Sequence, residues 1–139
     1  MQAKLPGKVV FPGSSAFQQE VATYYSDLEI EINSACRVTP ESAQDVSTAI
    51  TVLEAGRCQF AVRSGGHMPW AGAANIDAPG VTLDLQEMNS VIVSADKKTA
   101  QVEPGTRWGP VYDTLATEEL IVVGGRSNSV GVGGFLLGG

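Results

Sequence analysis

The sequence predicts an α+β fold in which helices pack on a mixed β-sheet. The first observation is a strand, a helix and a strand in succession over residues 35–63, a crossover that normally makes two parallel neighbours. The second is a pair of alternating segments, residues 90–94 and 99–103, joined by a polar turn at residues 96–98. This pair predicts an antiparallel hairpin, so parallel and antiparallel strands are both expected.

The first predicted element is a helix within residues 12–27. Its apolar positions recur at roughly helical spacing. They are Phe17, Val21, Tyr24 and Tyr25. Neither an internal repeat nor a long linker divides the chain that follows.

A second helix is predicted after a short strand at residues 35–38. Thr39 is its expected N-cap, Pro40 suits the first helical position, and Glu41 complements the positive end of the helix. A buried stripe at 3-4-3 spacing follows. Its members are Ala43, Val46, Ile50 and Leu53. Gly56 is expected to end the helix in the left-handed conformation.

The remaining strands are predicted at residues 59–63, 81–85 and 120–123, with a loop at residues 71–80. Thr106 is expected to cap a further helix. The apolar residues of that helix are Trp108, Val111 and Leu115.

Composition narrows the classes of function. Nine Lys and Arg against 15 Asp and Glu give a net charge of -6, which disfavours binding to nucleic acid. No apolar run approaches the roughly 20 residues that span a bilayer, and the amino terminus lacks the apolar core of a signal peptide. We therefore expect no membrane association, and the localisation stays open. Five of the 16 Gly fall between Gly131 and Gly139, which leads us to expect the front part of a longer protein.

Two glycine-rich loops, residues 64–67 and 124–139, each follow a predicted strand. Such loops can place backbone N–H groups around a diphosphate, although tight turns are the simpler interpretation of one loop alone. Residues 131–134 lack the dinucleotide-binding spacing, no helix pattern clearly follows them, and no phosphate-binding P-loop is present.

His67, the only histidine, comes directly after a Gly pair. One His with two distant Cys provides no cluster of metal ligands, so no metal site is predicted. The sequence also lacks the nucleophile elbow of a Ser/His/Asp hydrolase. His67 is therefore either structural or a nucleophile or hydrogen-bond donor toward a bound cofactor. The thiols of Cys36 and Cys58 are either bridged between neighbouring strands or free and buried, and both alternatives stay open.

The run F-A-V-R-S-G-G-H at residues 60–67 resembles the flavin-attachment loop of FAD-linked oxidases of the vanillyl-alcohol-oxidase type, most closely the berberine-bridge-enzyme-like branch. Further similar segments occur in the order of that family. They lie at residues 36–46, 81–85, 102–106, 130–134 and 137–139. The resemblance implies the first part of a PCMH-type FAD-binding domain over residues 35–139, preceded by an extension and helix at residues 1–34, without the substrate domain.

The same resemblance implies the cofactor FAD and its binding residues. They are Arg63, Ser64, Gly65, Gly66, His67, Gly105, Ser129, Gly131, Gly133 and Gly134. His67 corresponds to the residue that the family bonds through a ring nitrogen to the 8α-methyl of the flavin. Many members add a second link through a Cys near the position of Ser127, so we expect at most one covalent bond here.

The function that the resemblance implies is an oxidoreductase that takes a hydride from an alcohol-like or C–H substrate and is reoxidised by O₂. No catalytic acid or base is assigned, and the 139-residue chain alone is expected to be inactive. Two alternatives remain. One is a truncated, non-catalytic remnant of the family, and the other is a nucleotide-binding module without redox activity.

Overall fold

The computed structural model describes residues 1–138 as a four-stranded mixed sheet, a two-stranded sheet and five helices. The strands are β1 (Val9–Val10), β2 (Cys36–Val38), β3 (Phe60–Arg63), β4 (Val81–Asp84), β5 (Val91–Val93) and β6 (Ala100–Val102). The helices are α1 (Ser15–Val21), α2 (Asp27–Ile30), α3 (Ala43–Ala55), α4 (Trp108–Thr117) and α5 (Val132–Gly138). The predicted α+β class with a mixed sheet is confirmed. The predicted hairpin forms as β5 and β6, in a sheet of its own.

The four-stranded sheet has the order β1-β2-β4-β3, with β1 antiparallel to β2 and β4 parallel to both of its neighbours. The prediction that β2 and β3 are adjacent is therefore wrong, because β4 lies between them. All four residues of β4 are buried. Val81 and Leu83 join the apolar core, while Thr82 and Asp84 enter buried hydrogen-bond networks. A strand buried on both faces suits the central position.

The structure matches neither of the two cysteine alternatives in full. Cys36 and Cys58 are both free thiols, so the disulfide is not formed. Cys36 is buried at the start of β2, and burial raises the pKa of its thiol. Cys58 is exposed, so only one of the two thiols is buried.

Helix α3 covers the sheet and starts later than the sequence predicts. Ser42 is its N-cap and accepts a 3.2 Å hydrogen bond from the Asp45 N–H. The prediction of Thr39 as N-cap is wrong, because its hydroxyl donates to Glu20 at 3.1 Å instead. At the other end, Gly56 has right-handed backbone angles, and the left-handed conformation falls on Arg57.

The first apolar core lies between α3 and the sheet. The predicted stripe is partly right: Leu53 is buried and Val46 and Ile50 pack at the edge, but Ala43 is exposed. The stripe also includes the fully buried Ala49. Residues near the amino terminus complete this core. They are Leu5 and Val9.

A second apolar core lies between α4, α5 and the hairpin. Trp108, Val111, Leu115 and Val132 form its centre. The prediction that Thr106 caps α4 is wrong. The N-cap residue is Arg107, and its side chain makes no capping hydrogen bond.

Two predictions around the second glycine-rich loop are wrong. Residues 120–123 form no strand in the described part of the chain, and Ile121 and Val123 are each 98% exposed. A helix does form here, because α5 begins at Val132, inside the predicted loop of residues 124–139, and packs into the second core through Val132 and Phe135. No helix within residues 1–138 has the length and apolar character needed to span a membrane.

Candidate functional site

The first glycine-rich loop, residues 64–67, leaves the carboxyl end of β3. Gly66 has a φ of +63°, a left-handed conformation that glycine adopts without steric strain because it has no Cβ. A Cβ at this position would also lie 2.8 Å from the Tyr24 ring. The Gly66 carbonyl accepts a hydrogen bond from the Tyr25 N–H at 3.0 Å, which ties the loop to the segment after α1. The backbone conformation and the packing of this loop therefore require glycine at residue 66.

The two glycine-rich loops touch backbone to backbone. A Cβ on Gly65 would lie 2.5 Å from the Cα of Gly131, and a Cβ on Gly131 would lie 2.7 Å from the Cα of Gly65. Real Cβ atoms do not make contacts this short, so both positions need glycine. We call this contact the glycine seam.

Hydrogen bonds on either side hold the glycine seam. The Arg107 guanidinium donates from one nitrogen to the Gly65 carbonyl and to the Thr23 carbonyl, both at 3.0 Å. Partial burial lowers the pKa of Arg107, and the positive charge of the nearby Arg63 lowers it further. The backbone of Arg107 pairs with Gly131 in an isolated antiparallel bridge. One residue thus binds both loops.

A third segment, residues 104–105, lies against both loops. The Pro104 carbonyl accepts the Ser64 hydroxyl at 2.6 Å, and a Cβ on Gly133 would lie 2.8 Å from that same oxygen. Gly105 is buried against the backbone of Leu85. Gly134 differs from these glycines, because a Cβ there would meet nothing within 4 Å.

His67 is half-buried at the end of the first loop, and two side chains contact it. Its Nε2 lies 2.9 Å from the Ser129 hydroxyl, which lies 3.0 Å from the Ser127 hydroxyl. The Tyr25 ring stacks on the imidazole with centroids 4.0 Å apart and an interplanar angle of 15°. The two predicted residues His67 and Ser129 therefore meet, although 62 positions separate them.

The side chain of Arg63 packs against the inner side of the loop, since a Cβ on Gly66 would lie 2.6 Å from its Nε. It is fully buried with Arg37, and both guanidinium groups bind the Asp84 carboxylate. Glu20 accepts a further bond from Arg37 at 3.2 Å, so two cations and two anions balance. Burial raises the pKa of Glu20 even though Arg37 opposes the shift. Within the predicted site, Arg63 can therefore contribute through its backbone and by supporting the loop.

The backbone N–H groups of the first loop are unused. Those of Gly65, Gly66 and His67 donate to no acceptor within residues 1–138, although both glycines are buried. A buried N–H without an acceptor is costly, and consecutive free N–H groups form a concavity that suits an anion. The loop thus has the donor set of a diphosphate site.

Comparison with known families identifies the domain. A family model described as FAD binding domain matches residues 34–139. The chain belongs to this family. The sequence resemblance to FAD-linked enzymes is thereby confirmed.

Individual relatives agree with this FAD binding domain assignment. The FAD-dependent monooxygenase sdcF of Emericella nidulans is 43% identical over 141 residues, which cover 100% of this chain and 29% of the relative. The chain therefore spans less than a third of the length of that curated relative. Among solved structures, 6-hydroxy-D-nicotine oxidase from Arthrobacter nicotinovorans has a TM-score of 0.79 at 28% identity, over 91% of this chain and 27% of its own. A variant of BBE-like 1 from Physcomitrella patens shares the fold, with a TM-score of 0.77 at 22% identity over 95% of this chain and 28% of its own.

The FAD binding domain brings most of the predicted residues together. The glycine seam, Ser64, His67, Ser129 and Gly133 lie in one contiguous region, while Gly134 is exposed beside it. A cavity of about 430 Å³ opens next to Gly105. Its other lining residues are Thr23, Gln86, Asn89, Thr106, Arg107 and Pro110. Within residues 1–138, no group of three or more His, Cys, Asp or Glu could hold a metal ion.

Sequence reasoning missed two residues of this region. One is Arg107, because nothing in the neighbouring sequence indicates that its guanidinium reaches a carbonyl 42 positions away. The other is Tyr25, which the sequence assigns to a helical stripe but which is exposed and stacked on His67. The one signal for Tyr25 is that it directly follows Tyr24 and so breaks the helical spacing.

Proposed function

We propose that this chain holds FAD against the two glycine-rich loops, with the diphosphate on the first loop. The supporting observation is the set of unpaired N–H groups of Gly65, Gly66 and His67 beside the glycine seam. Backbone donors fit a diphosphate because they supply positive partial charge without the volume of a side chain. Further proposed contacts come from the remaining predicted residues. They are Arg63 through its backbone, Ser64, Gly105, Ser129, Gly131, Gly133 and Gly134.

The proposal includes one covalent bond between His67 and the 8α-methyl carbon of the flavin. Forming it removes one hydrogen from the methyl group and one from the imidazole N–H. The two protons and two electrons released reduce O₂ to hydrogen peroxide, which balances the step. The position of His67 at the end of the run of unpaired N–H groups, with one ring nitrogen at Ser129, supports this role. Ser127 carries no thiol, so a second link of the Cys type is not proposed.

We further propose that this FAD-binding domain serves an oxidoreductase that takes a hydride from an alcohol-like or C–H substrate, with O₂ as the reoxidant. When bound, FAD supplies the two-electron acceptor. The residues described here bind and orient it, largely through main-chain groups, and the candidate region contains no assigned acid or base for a substrate. We therefore propose that residues 35–139 act as the FAD-binding unit and that this chain alone does not turn over substrate.

The test is the intact mass of the 139-residue chain, purified after expression with flavin available and measured under denaturing conditions. An increase by one FAD, located on the His67 peptide, is the expected result. In His67→Ala the increase disappears, whereas flavin that acid releases still copurifies, because the loop N–H groups remain. An unmodified mass with a colourless protein contradicts FAD binding. Acid-stable flavin retained by His67→Ala contradicts the attachment site alone.

A further inference from the structure

The imidazole of His67 is held by two contacts of different kinds. The Tyr25 ring lies 4.0 Å from it and nearly parallel, which fixes the plane of the imidazole. Stacking does not fix which ring edge faces which way, because the terminal torsion of histidine has two broad minima. The second contact, from Nε2 to the Ser129 hydroxyl at 2.9 Å, removes this ambiguity.

The other ring nitrogen is free for chemistry. Nδ1 of His67 has no hydrogen-bond partner within residues 1–138, whereas Nε2 is occupied by Ser129. Ser129 in turn contacts Ser127, which is exposed. A serine hydroxyl both donates and accepts, so this pair can accept a proton from Nε2 and pass one to solvent.

We propose that Ser129, backed by Ser127, is the positioning residue for covalent attachment of the flavin to His67. This inference rests on the proposed role of His67. Before attachment, Nε2–H donates to Ser129 and leaves the Nδ1 electron pair free. As the bond from Nδ1 to the methyl carbon forms, positive charge develops on the imidazole, and Nε2 then loses its proton through the two hydroxyls. The methyl group loses its own proton, and O₂ takes up the two electrons.

The expected effect follows from the change in that hydrogen bond. A bond from a charged imidazole is roughly twice as strong as one from a neutral imidazole, so Ser129 stabilises the attachment step more than the resting state. We expect Ser129→Ala to slow attachment about tenfold, which corresponds to about 1.4 kcal/mol. Ser129→Thr keeps the hydroxyl and restores the rate, and Ser127→Ala has a smaller effect because it acts one bond further away.

Three measurements test the proposal on the full 139-residue chain. The first follows acid-stable flavin against time after FAD is added to flavin-free protein. The second is the ¹⁵N spectrum of the imidazole without flavin, which is unambiguous because His67 is the only histidine. In the wild type and Ser129→Thr we expect the tautomer with hydrogen on Nε2. In Ser129→Ala we expect this tautomer preference to weaken. A third measurement, NMR of the flavin peptide from the wild type, should place the bond on Nδ1.

The outcomes separate the two proposals. Attachment in Ser129→Ala at the wild-type rate, or an unchanged ¹⁵N spectrum, overturns the role of Ser129 and leaves the attachment at His67 intact. A flavin bond to Nε2 also overturns it. A wild-type chain that never acquires acid-stable flavin overturns the attachment itself, and the role of Ser129 with it.

Discussion

The glycine seam gives a prediction with a calculable size. In Gly65→Ala the new Cβ would lie 2.5 Å from the Cα of Gly131. Carbon atoms come into favourable contact at about 3.5 Å, so the two loops must separate by about 1 Å. The atoms that resist are backbone atoms on both sides, and no side chain can rotate away to make room.

The cost has two parts. Forcing an extra carbon into a packed site costs about 1–3 kcal/mol. The separation also stretches the bond from Arg107 to the Gly65 carbonyl, and a hydrogen bond contributes about 1 kcal/mol. We therefore expect the free energy of unfolding to fall by about 2–4 kcal/mol, a large share of the roughly 5–15 kcal/mol of a typical domain.

The assay is urea unfolding followed by circular dichroism, with Gly134→Ala as the matched control. With a urea dependence of about 2 kcal/mol per molar, in the middle of the usual range, the midpoint of Gly65→Ala should fall by about 1–2 M. Gly134 lies in the first turn of α5 with no atom within 4 Å of its added Cβ, and alanine favours a helix over glycine by up to about 1 kcal/mol. Its midpoint should stay or rise. Equal midpoints for the two variants would refute the argument from close backbone contact.

Three further predictions concern charge and thiol chemistry. Asp84→Asn leaves two buried guanidinium groups short of a countercharge, so the free energy of unfolding should fall by about 3–5 kcal/mol in urea titrations. Asp45 binds Lys8 at 2.6 Å, and hydrogen bonds to Lys8 and the backbone hold the pKa of its carboxyl below its usual value. A lowered carboxyl pKa contributes stability that is present above the unfolded pKa and is lost as the pH falls through the folded pKa, so Asp45→Asn should lower the Tm at pH 7, and its difference from the wild type should shrink as the pH falls. Iodoacetamide should label the exposed Cys58 quickly and the buried Cys36 only after unfolding, as peptide mass spectrometry can measure.

Each of these predictions has a result that contradicts it. An Asp84→Asn variant as stable as the wild type would mean that the arginines find other partners. A Tm difference for Asp45→Asn that is as large near pH 2 as at pH 7 would exclude the carboxylate as its cause. Equal labelling rates for the two thiols in the folded chain would contradict the burial of Cys36.

Local signals in the sequence were enough for part of the fold. The hairpin could be predicted because its two strands and its turn lie within 15 residues, and Lys97 in the turn takes the left-handed conformation, with a φ of 57°. Helix α3 could be predicted from its apolar stripe. Its first residue could not, because Thr39 and Ser42 are both good caps, and the choice depends on Glu20, which takes the hydroxyl of Thr39.

The sheet order depended on information that lies far apart in the chain. The insertion of β4 between β2 and β3 requires Asp84 to be buried, and an aspartate ordinarily marks a solvent-facing position. It becomes a core residue only because Arg37 and Arg63 neutralise it. The strand prediction at residues 120–123 is wrong for the opposite reason. Its apolar residues indicate a buried strand, but no strand in the described part of the chain pairs with it.

In the candidate site, too, the features with a local sequence signal could be predicted and the contacts between distant residues could not. Its glycine-rich loops and His67 could be found from composition and resemblance, because glycine clusters are conspicuous. The contacts that orient His67 come from Tyr25 and Ser129, which lie 42 and 62 positions away in the sequence. Contacts of this kind depend on the finished fold, so no local pattern indicates them.

In the proposed binding mode, the bridge between Arg107 and Gly131 links cofactor affinity to folding. Because the backbone and the guanidinium of Arg107 hold the two loops together, the entropy of ordering them is lost when the domain folds and not when a ligand arrives. Ligand that binds only the folded form then stabilises it in proportion to the logarithm of its concentration. Any substitution that loosens the bridge must weaken the two equilibria together, so thermal stability and cofactor retention in this domain should rise and fall as one property.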